Sequence, residues 1–143
     1  FVAATMYSRM LALSGLPNEL AAWILQADIS LYGILAISVV ILILMGTILD
    51  TTSIILIMVP LCLPIIEPYG VDLVWFGIVT IVGAEIGLLT PPLGISCYVI
   101  KTTLADQNIS LAEIFSGALP FAIIMLLVLI ILIAFPSLTR VLV

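Results

Sequence analysis

The chain has 143 residues, of which 65% are hydrophobic and only 8% charged. Soluble domains carry roughly 45–50% apolar and about 25% charged residues, so this chain lacks the polar side chains to cover a globular surface. Three basic residues against eight acidic ones leave no basic face for nucleic acid, and the lack of histidine excludes a Ser-His-Asp triad or a histidine metal site within the chain.

Taken in chain order, Phe1-Val2-Ala3-Ala4-Thr5-Met6 begins inside an apolar stretch without a charged n-region or a cleavage site. It therefore reads as the end of a helix cut from a longer membrane protein rather than as a signal peptide. Residues 1–28 hold that helix end and a connecting, interfacial helix; Leu16-Pro17-Asn18-Glu19 predicts a turn into the second helix, with Asn18 as N-cap and Glu19 in the first turn. Residues 29–49 carry no charge between Asp28 and Asp50, enough to cross ~30 Å of hydrocarbon as a helix. The next uncharged block, 51–66, reaches only about 24 Å and contains Pro60 and Pro64, each without an amide donor. Glu67-Pro68-Tyr69-Gly70-Val71-Asp72 reads as a polar turn, with Trp75 nearby as at a membrane interface. Residues 73–104 predict a discontinuous helix broken near 87–94, because Pro91-Pro92 interrupts an apolar run that contains Glu85. Ser110-Leu111-Ala112-Glu113 is a capping box, placing an interfacial helix over 110–117, and residues 118–137 form a terminal transmembrane helix that Phe135-Pro136-Ser137 ends. The fold class is thus an all-α polytopic membrane protein embedded in a lipid bilayer. Arg9, Lys101 and Arg140 are too few to fix its orientation by the positive-inside rule, and Cys62 and Cys97, set in apolar runs, read as small buried hydrophobes.

Two segments gather chemistry. Met45-Gly46-Thr47-Ile48-Leu49-Asp50-Thr51-Thr52-Ser53 concentrates hydroxyl, carboxylate and carbonyl oxygens, the donors that hold hard cations such as sodium. Either residues 29–66 are two full spans that meet at a wet turn, with Asp50 a solvated cap, or they are a re-entrant hairpin whose tip, near 46–53, reaches a polar cavity inside the membrane. The second segment is Gly83-Ala84-Glu85-Ile86-Gly87-Leu88-Leu89-Thr90-Pro91-Pro92-Leu93-Gly94. Its two prolines free the carbonyls of Gly87 and Leu88. With the Thr90 hydroxyl and a half-helix N-terminus beyond Pro92, these are parts of a transporter ion site; a plain kink, or a loop between two helices, is the alternative. Glu85 is an intramembrane carboxylate that binds a cation, relays a proton or pairs with a helix from the rest of the protein, the alternative being a position near the interface or a structural pair, while Gly83-x-x-x-Gly87 also suits close helix packing. An intramembrane aspartyl protease needs a G-x-G-D element, which is missing, and no P-loop is present. The chain reads as a non-enzyme.

At these segments the chain resembles the C-terminal part of the large membrane subunit of tripartite ATP-independent periplasmic (TRAP) transporters. The likeness rests on Gly46-Thr47-Ile48-Leu49-Asp50, Pro60 and Pro64, Gly70-Val71-Asp72 with Trp75-Phe76-Gly77, Glu85-Ile86-Gly87-Leu88-Leu89-Thr90-Pro91-Pro92-Leu93-Gly94, Pro120-Phe121 and Phe135-Pro136. Family members often carry an Asn shortly before the Glu, where this chain has Gly83. The resemblance implies one half of an elevator-type inverted-repeat transporter in a bacterial inner membrane, with a re-entrant hairpin and a discontinuous helix. It implies sodium ions as coupling ions and no other cofactor, and a small-molecule organic acid as cargo, a C4-dicarboxylate or a sialic acid. A small membrane subunit and a periplasmic solute-binding protein are the implied partners. By position it assigns sodium or substrate contacts to Gly46, Thr47, Asp50, Thr51, Gly87, Thr90 and Pro91. Separately, Arg9 is one of very few cations in the chain and is a weaker contact for the substrate anion, or else sits at an interface with its stem snorkelling. The alternatives are a sodium/anion symporter that needs no binding protein, and a non-transporting scaffold subunit.

Overall fold

A computed structural model describes residues 2–104 and 109–141, and among these the regular elements are all helical. They are α1 (Val2–Leu13), α2 (Leu16–Gln26), α3 (Leu31–Gly46), α4 (Thr51–Ile66), α5 (Leu73–Leu89), α6 (Ile95–Thr103), α7 (Leu111–Ala134) and α8 (Ser137–Val141), with a 3-10 turn at Glu67–Tyr69 between α4 and α5.

Caps explain most of the starts. Ser30 accepts from the Gly33 amide at 3.3 Å, Asp50 from the Ser53 amide at 3.0 Å, and Asp72 from the Val74 amide at 2.8 Å, each satisfying an amide that has no partner inside its helix. The expected capping box is present: Ser110 Oγ accepts from the Glu113 amide at 3.2 Å while the Glu113 carboxylate accepts from the Ser110 amide at 2.6 Å. Asn18, by contrast, is not the cap of α2. The helix starts earlier, behind Gly15 in the left-handed region, because Pro17 fits the first turn, where its missing N–H is no loss.

Three boundaries differ from the sequence reading. The turn between α3 and α4 is confined to residues 47–50, since Gly46 still belongs to α3 and Thr51–Ser53 form the first turn of α4. The break after α5 begins at Thr90, so Gly87 lies inside the helix. No boundary separates 110–117 from 118–137: α7 runs unbroken through Gly117 and Pro120 for 24 residues, about 36 Å at 1.5 Å per residue, because one bond lost at Pro120 does not outweigh a continuous apolar helix. It ends at Ala134, ahead of Pro136, with α8 beyond.

The core gathers Leu35, Val39 and Leu42 of α3, Ile54, Met58, Cys62 and Ile66 of α4, Trp75, Phe76, Val79, Ala84 and Ile86 of α5, and Leu129 of α7. Cys62 and Cys97 are both free and buried, as expected of small hydrophobes. α3 packs most extensively on α5, while α4 packs on α1 and α2. At the end away from the 47–50 turn, the Tyr69 hydroxyl donates to the Ile29 carbonyl at 2.9 Å and ties the last turn after α4 to the entry of α3. Pro136 offers no amide to the Leu132 carbonyl four residues back; the Trp75 indole N–H, on α5, donates to that carbonyl instead at 2.7 Å.

Candidate functional site: a helix turn against a helix break

The turn and the break meet because α3 and α5 cross where both carry glycine. A Cβ added to Gly46 would lie 2.9 Å from Gly87 Cα, and one added to Gly87 would lie 2.6 Å from Gly46 Cα. The backbones are in contact, which only glycine at both positions permits. The Gly83-x-x-x-Gly87 spacing is therefore a packing face, with Gly83 set against Leu42.

Within the turn, Thr47 is buried and its hydroxyl donates to the Leu44 carbonyl at 2.8 Å. Asp50 is exposed and serves α4 as its cap, also accepting from Ser53 Oγ at 2.6 Å. Thr51 opens α4 and reaches across to α5, where its hydroxyl donates to Glu85 Oε1 at 2.6 Å. Of the readings the sequence left open for Glu85, this hydrogen bond is the structural pair, made with another helix of the same chain.

At the break, the Gly87 carbonyl accepts from the Thr90 amide at 3.0 Å, so this freed carbonyl has a partner. The Thr90 hydroxyl donates to the Ile86 carbonyl at 2.6 Å. Pro91 is exposed and precedes Pro92 through a cis peptide bond. Gly94 takes φ +49° beneath Phe115 of α7, whose Cε1 would lie 2.6 Å from an added Cβ. Phe115 also stands edge-on to Tyr98 of α6, with ring centroids 6.4 Å apart, so α7 braces the chain where α6 begins.

The structure thus brings Gly46, Thr51, Glu85 and Gly87 together. Among the described residues no hydrogen bond joins Thr90, Pro91 or Asp50 to the facing segment, and none joins Arg9, exposed on α1, to either. Among the same residues no three acidic, cysteine or histidine side chains cluster as metal ligands. Oxygens are what the site offers: its hydroxyls and carbonyls are hard donors, while the Glu85 carboxylate is engaged by the Thr51 hydroxyl.

An apolar helical chain whose oxygen-bearing groups collect at a helix turn and a helix break has the make-up of a membrane-transport subunit. The family described as tripartite ATP-independent periplasmic transporter, DctM component, matches residues 1–138, and the chain belongs to that family of large permease subunits. It is 31% identical over 134 residues to the C4-dicarboxylate TRAP transporter large permease protein DctM of Pseudomonas aeruginosa, covering 94% of this chain and 31% of that protein. It is 35% identical over 96 residues to the corresponding protein of Rhodobacter capsulatus, covering 67% of this chain and 22% of that one. The sialic acid TRAP transporter large permease protein SiaM of Vibrio cholerae is 29% identical over 135 residues, 94% of this chain and 31% of its own length. The chain thus spans about a third, or less, of the relatives it matches.

Proposed function

We propose that this chain forms part of a sodium-coupled importer of organic acids, of the C4-dicarboxylate or sialic-acid kind, whose cargo a periplasmic binding protein delivers. The observation that carries the proposal is the family match over residues 1–138. Relatives named for C4-dicarboxylates and for sialic acid support the class of cargo. In this reading the protein lies in the bacterial inner membrane as a multi-pass subunit beside a small membrane subunit. α3 and α4 are the arms of a re-entrant hairpin, α5 and α6 the halves of a discontinuous helix, and the set is one half of an elevator built from inverted repeats. The lengths of α3 and α5 support it: with 16 and 17 residues they reach only about 24–26 Å, short of a ~30 Å hydrocarbon core, whereas α4 with the turn after it, Thr51–Tyr69, is long enough to cross. Sodium is held by carbonyl and hydroxyl oxygens between the turn, with Gly46, Thr47, Asp50 and Thr51, and the break, with Gly87, Thr90 and Pro91.

The test is uptake of labelled succinate and sialic acid by the full-length parent protein in proteoliposomes, with its small subunit and binding protein, with and without an inward sodium gradient. Uptake that requires both the gradient and the binding protein is expected. Sodium-driven uptake without the binding protein would replace the tripartite reading with a simple symporter, and a folded complex that moves no organic acid would overturn the proposal.

A further inference from the structure

Resting on the sodium-coupled reading, we propose that Glu85 is a positioning residue for the coupling cation and acts through the hydroxyl of Thr51. A threonine hydroxyl has one proton and two lone pairs. The buried Thr47 and the half-buried Thr90 both give that proton to a carbonyl of their own helix, Leu44 at 2.8 Å and Ile86 at 2.6 Å. Thr51 is the first residue of α4 and has no preceding turn of its own helix to bond. Its proton goes instead to Glu85 Oε1 at 2.6 Å, a partner 34 residues away on α5. Donation to a carboxylate is short and charge-assisted, and so holds the hydroxyl in one rotamer.

The consequence is directional. With its proton committed to α5, the Thr51 oxygen turns its lone pairs away from α5, the orientation a cation ligand needs. The carboxylate behind it also raises the electron density of that oxygen and lies near the N-terminus of α4, where the helix dipole favours negative charge. Nearby, Gly46 and Gly87 bring the end of α3 onto α5 two residues beyond Glu85, just ahead of the turn that leads to Thr51. Glu85 thus tunes the cation site without touching the cation.

The experiment measures the half-saturating sodium concentration and the maximal uptake rate of the full-length reconstituted transporter for Glu85→Gln, Thr51→Val, the double variant and Thr51→Ser. Glu85→Gln leaves only a neutral acceptor for Thr51 and is expected to raise the half-saturating sodium concentration roughly tenfold, the scale of exchanging a charge-assisted hydrogen bond for a neutral one, while uptake at saturating sodium falls less than about twofold. Thr51→Ser keeps the hydroxyl and should raise the half-saturating sodium concentration far less than Thr51→Val. In the Thr51→Val background Glu85→Gln should add nothing further. An unchanged sodium requirement in Glu85→Gln, or the same fold-increase whether or not Thr51 has its hydroxyl, overturns the proposal. Should Glu85→Gln fail to fold, Glu85→Asp keeps the charge and shortens the reach; it should raise the requirement too, and no change there is equally fatal. If uptake by the unaltered transporter ignores sodium, the coupling reading itself falls, which is seen before any variant is made.

Discussion

A methyl group at position 87 would sit 2.6 Å from Gly46 Cα, closer than two carbons can approach without the backbones moving apart. Gly87→Ala should therefore lower stability by about 1–3 kcal/mol, the usual cost of overpacking. The measurement is thermal unfolding of the purified full-length protein in detergent. Gly117→Ala on α7 is the matched control: nothing lies within 4 Å of its added Cβ, and the gain in helix propensity should leave stability equal or slightly higher. At Thr90 the expectation is functional. Thr90→Ala removes a hydroxyl oxygen at the break and should raise the sodium concentration needed for uptake roughly three- to tenfold, on the scale of one hydrogen-bonding group; a sodium titration that superimposes on the parent's would remove Thr90 from the ion site. At this scale the sequence shows half of each pair. The spacing of Gly83 and Gly87 marks a packing face, yet nothing local says that Gly46 lies opposite. Glu85 stands out as a charge in an apolar run, but its partner Thr51 is 34 residues away and no periodicity links them.

Among the elements, α5 and α7 are joined by apolar packing around Leu129 and by one side-chain hydrogen bond. Pro136 leaves the Leu132 carbonyl without an amide, and the Trp75 indole supplies the missing bond at 2.7 Å. Trp75→Phe removes the N–H and replaces the fused indole with a smaller phenyl ring, so it should destabilise the protein by about 1–3 kcal/mol through the unpaired Leu132 carbonyl and the lost packing together. Restoring an amide with Pro136→Ala should recover the hydrogen-bond part of that loss. Thermal unfolding of the two single variants and the double variant decides it: additive losses would show that Trp75 contributes by packing alone. The sequence read Trp75 as an interfacial anchor and Pro136 as a helix stop, and had no means to join the two. Local signals served better. The capping box at Ser110 and Glu113 needs only four consecutive residues, and it is present. The Asn18 cap failed because Pro17 suits a first helical turn as well as it suits a turn before one. The short helix expected over 110–117 failed because Gly117 and Pro120 weaken a helix without ending it when the flanking run is long and apolar.

Across the whole molecule, apolar side chains face outward as well as inward. Phe121, Ile124, Leu127 and Ile130 of α7 are all more than half exposed, a surface suited to lipid or to other apolar helices. Two helical segments, Thr51–Tyr69 and Leu111–Ala134, are long and apolar enough to cross a bilayer, whereas Leu31–Gly46 and Leu73–Leu89 are shorter. The division is physical: the two short helices are those that hold each other through glycine. That contact also sets an order of events at the ribosome. Roughly forty residues separate Gly46 from Gly87, so at ~5–20 residues per second α3 is made several seconds before α5 exists to receive it. During that interval Leu35, Val39 and Leu42 lack the α5 side of their core, formed by Trp75, Phe76, Val79, Ala84 and Ile86. The pairing of α3 with α5 is thus a late step in the birth of the chain, completed by a helix that has yet to be translated when the turn is made.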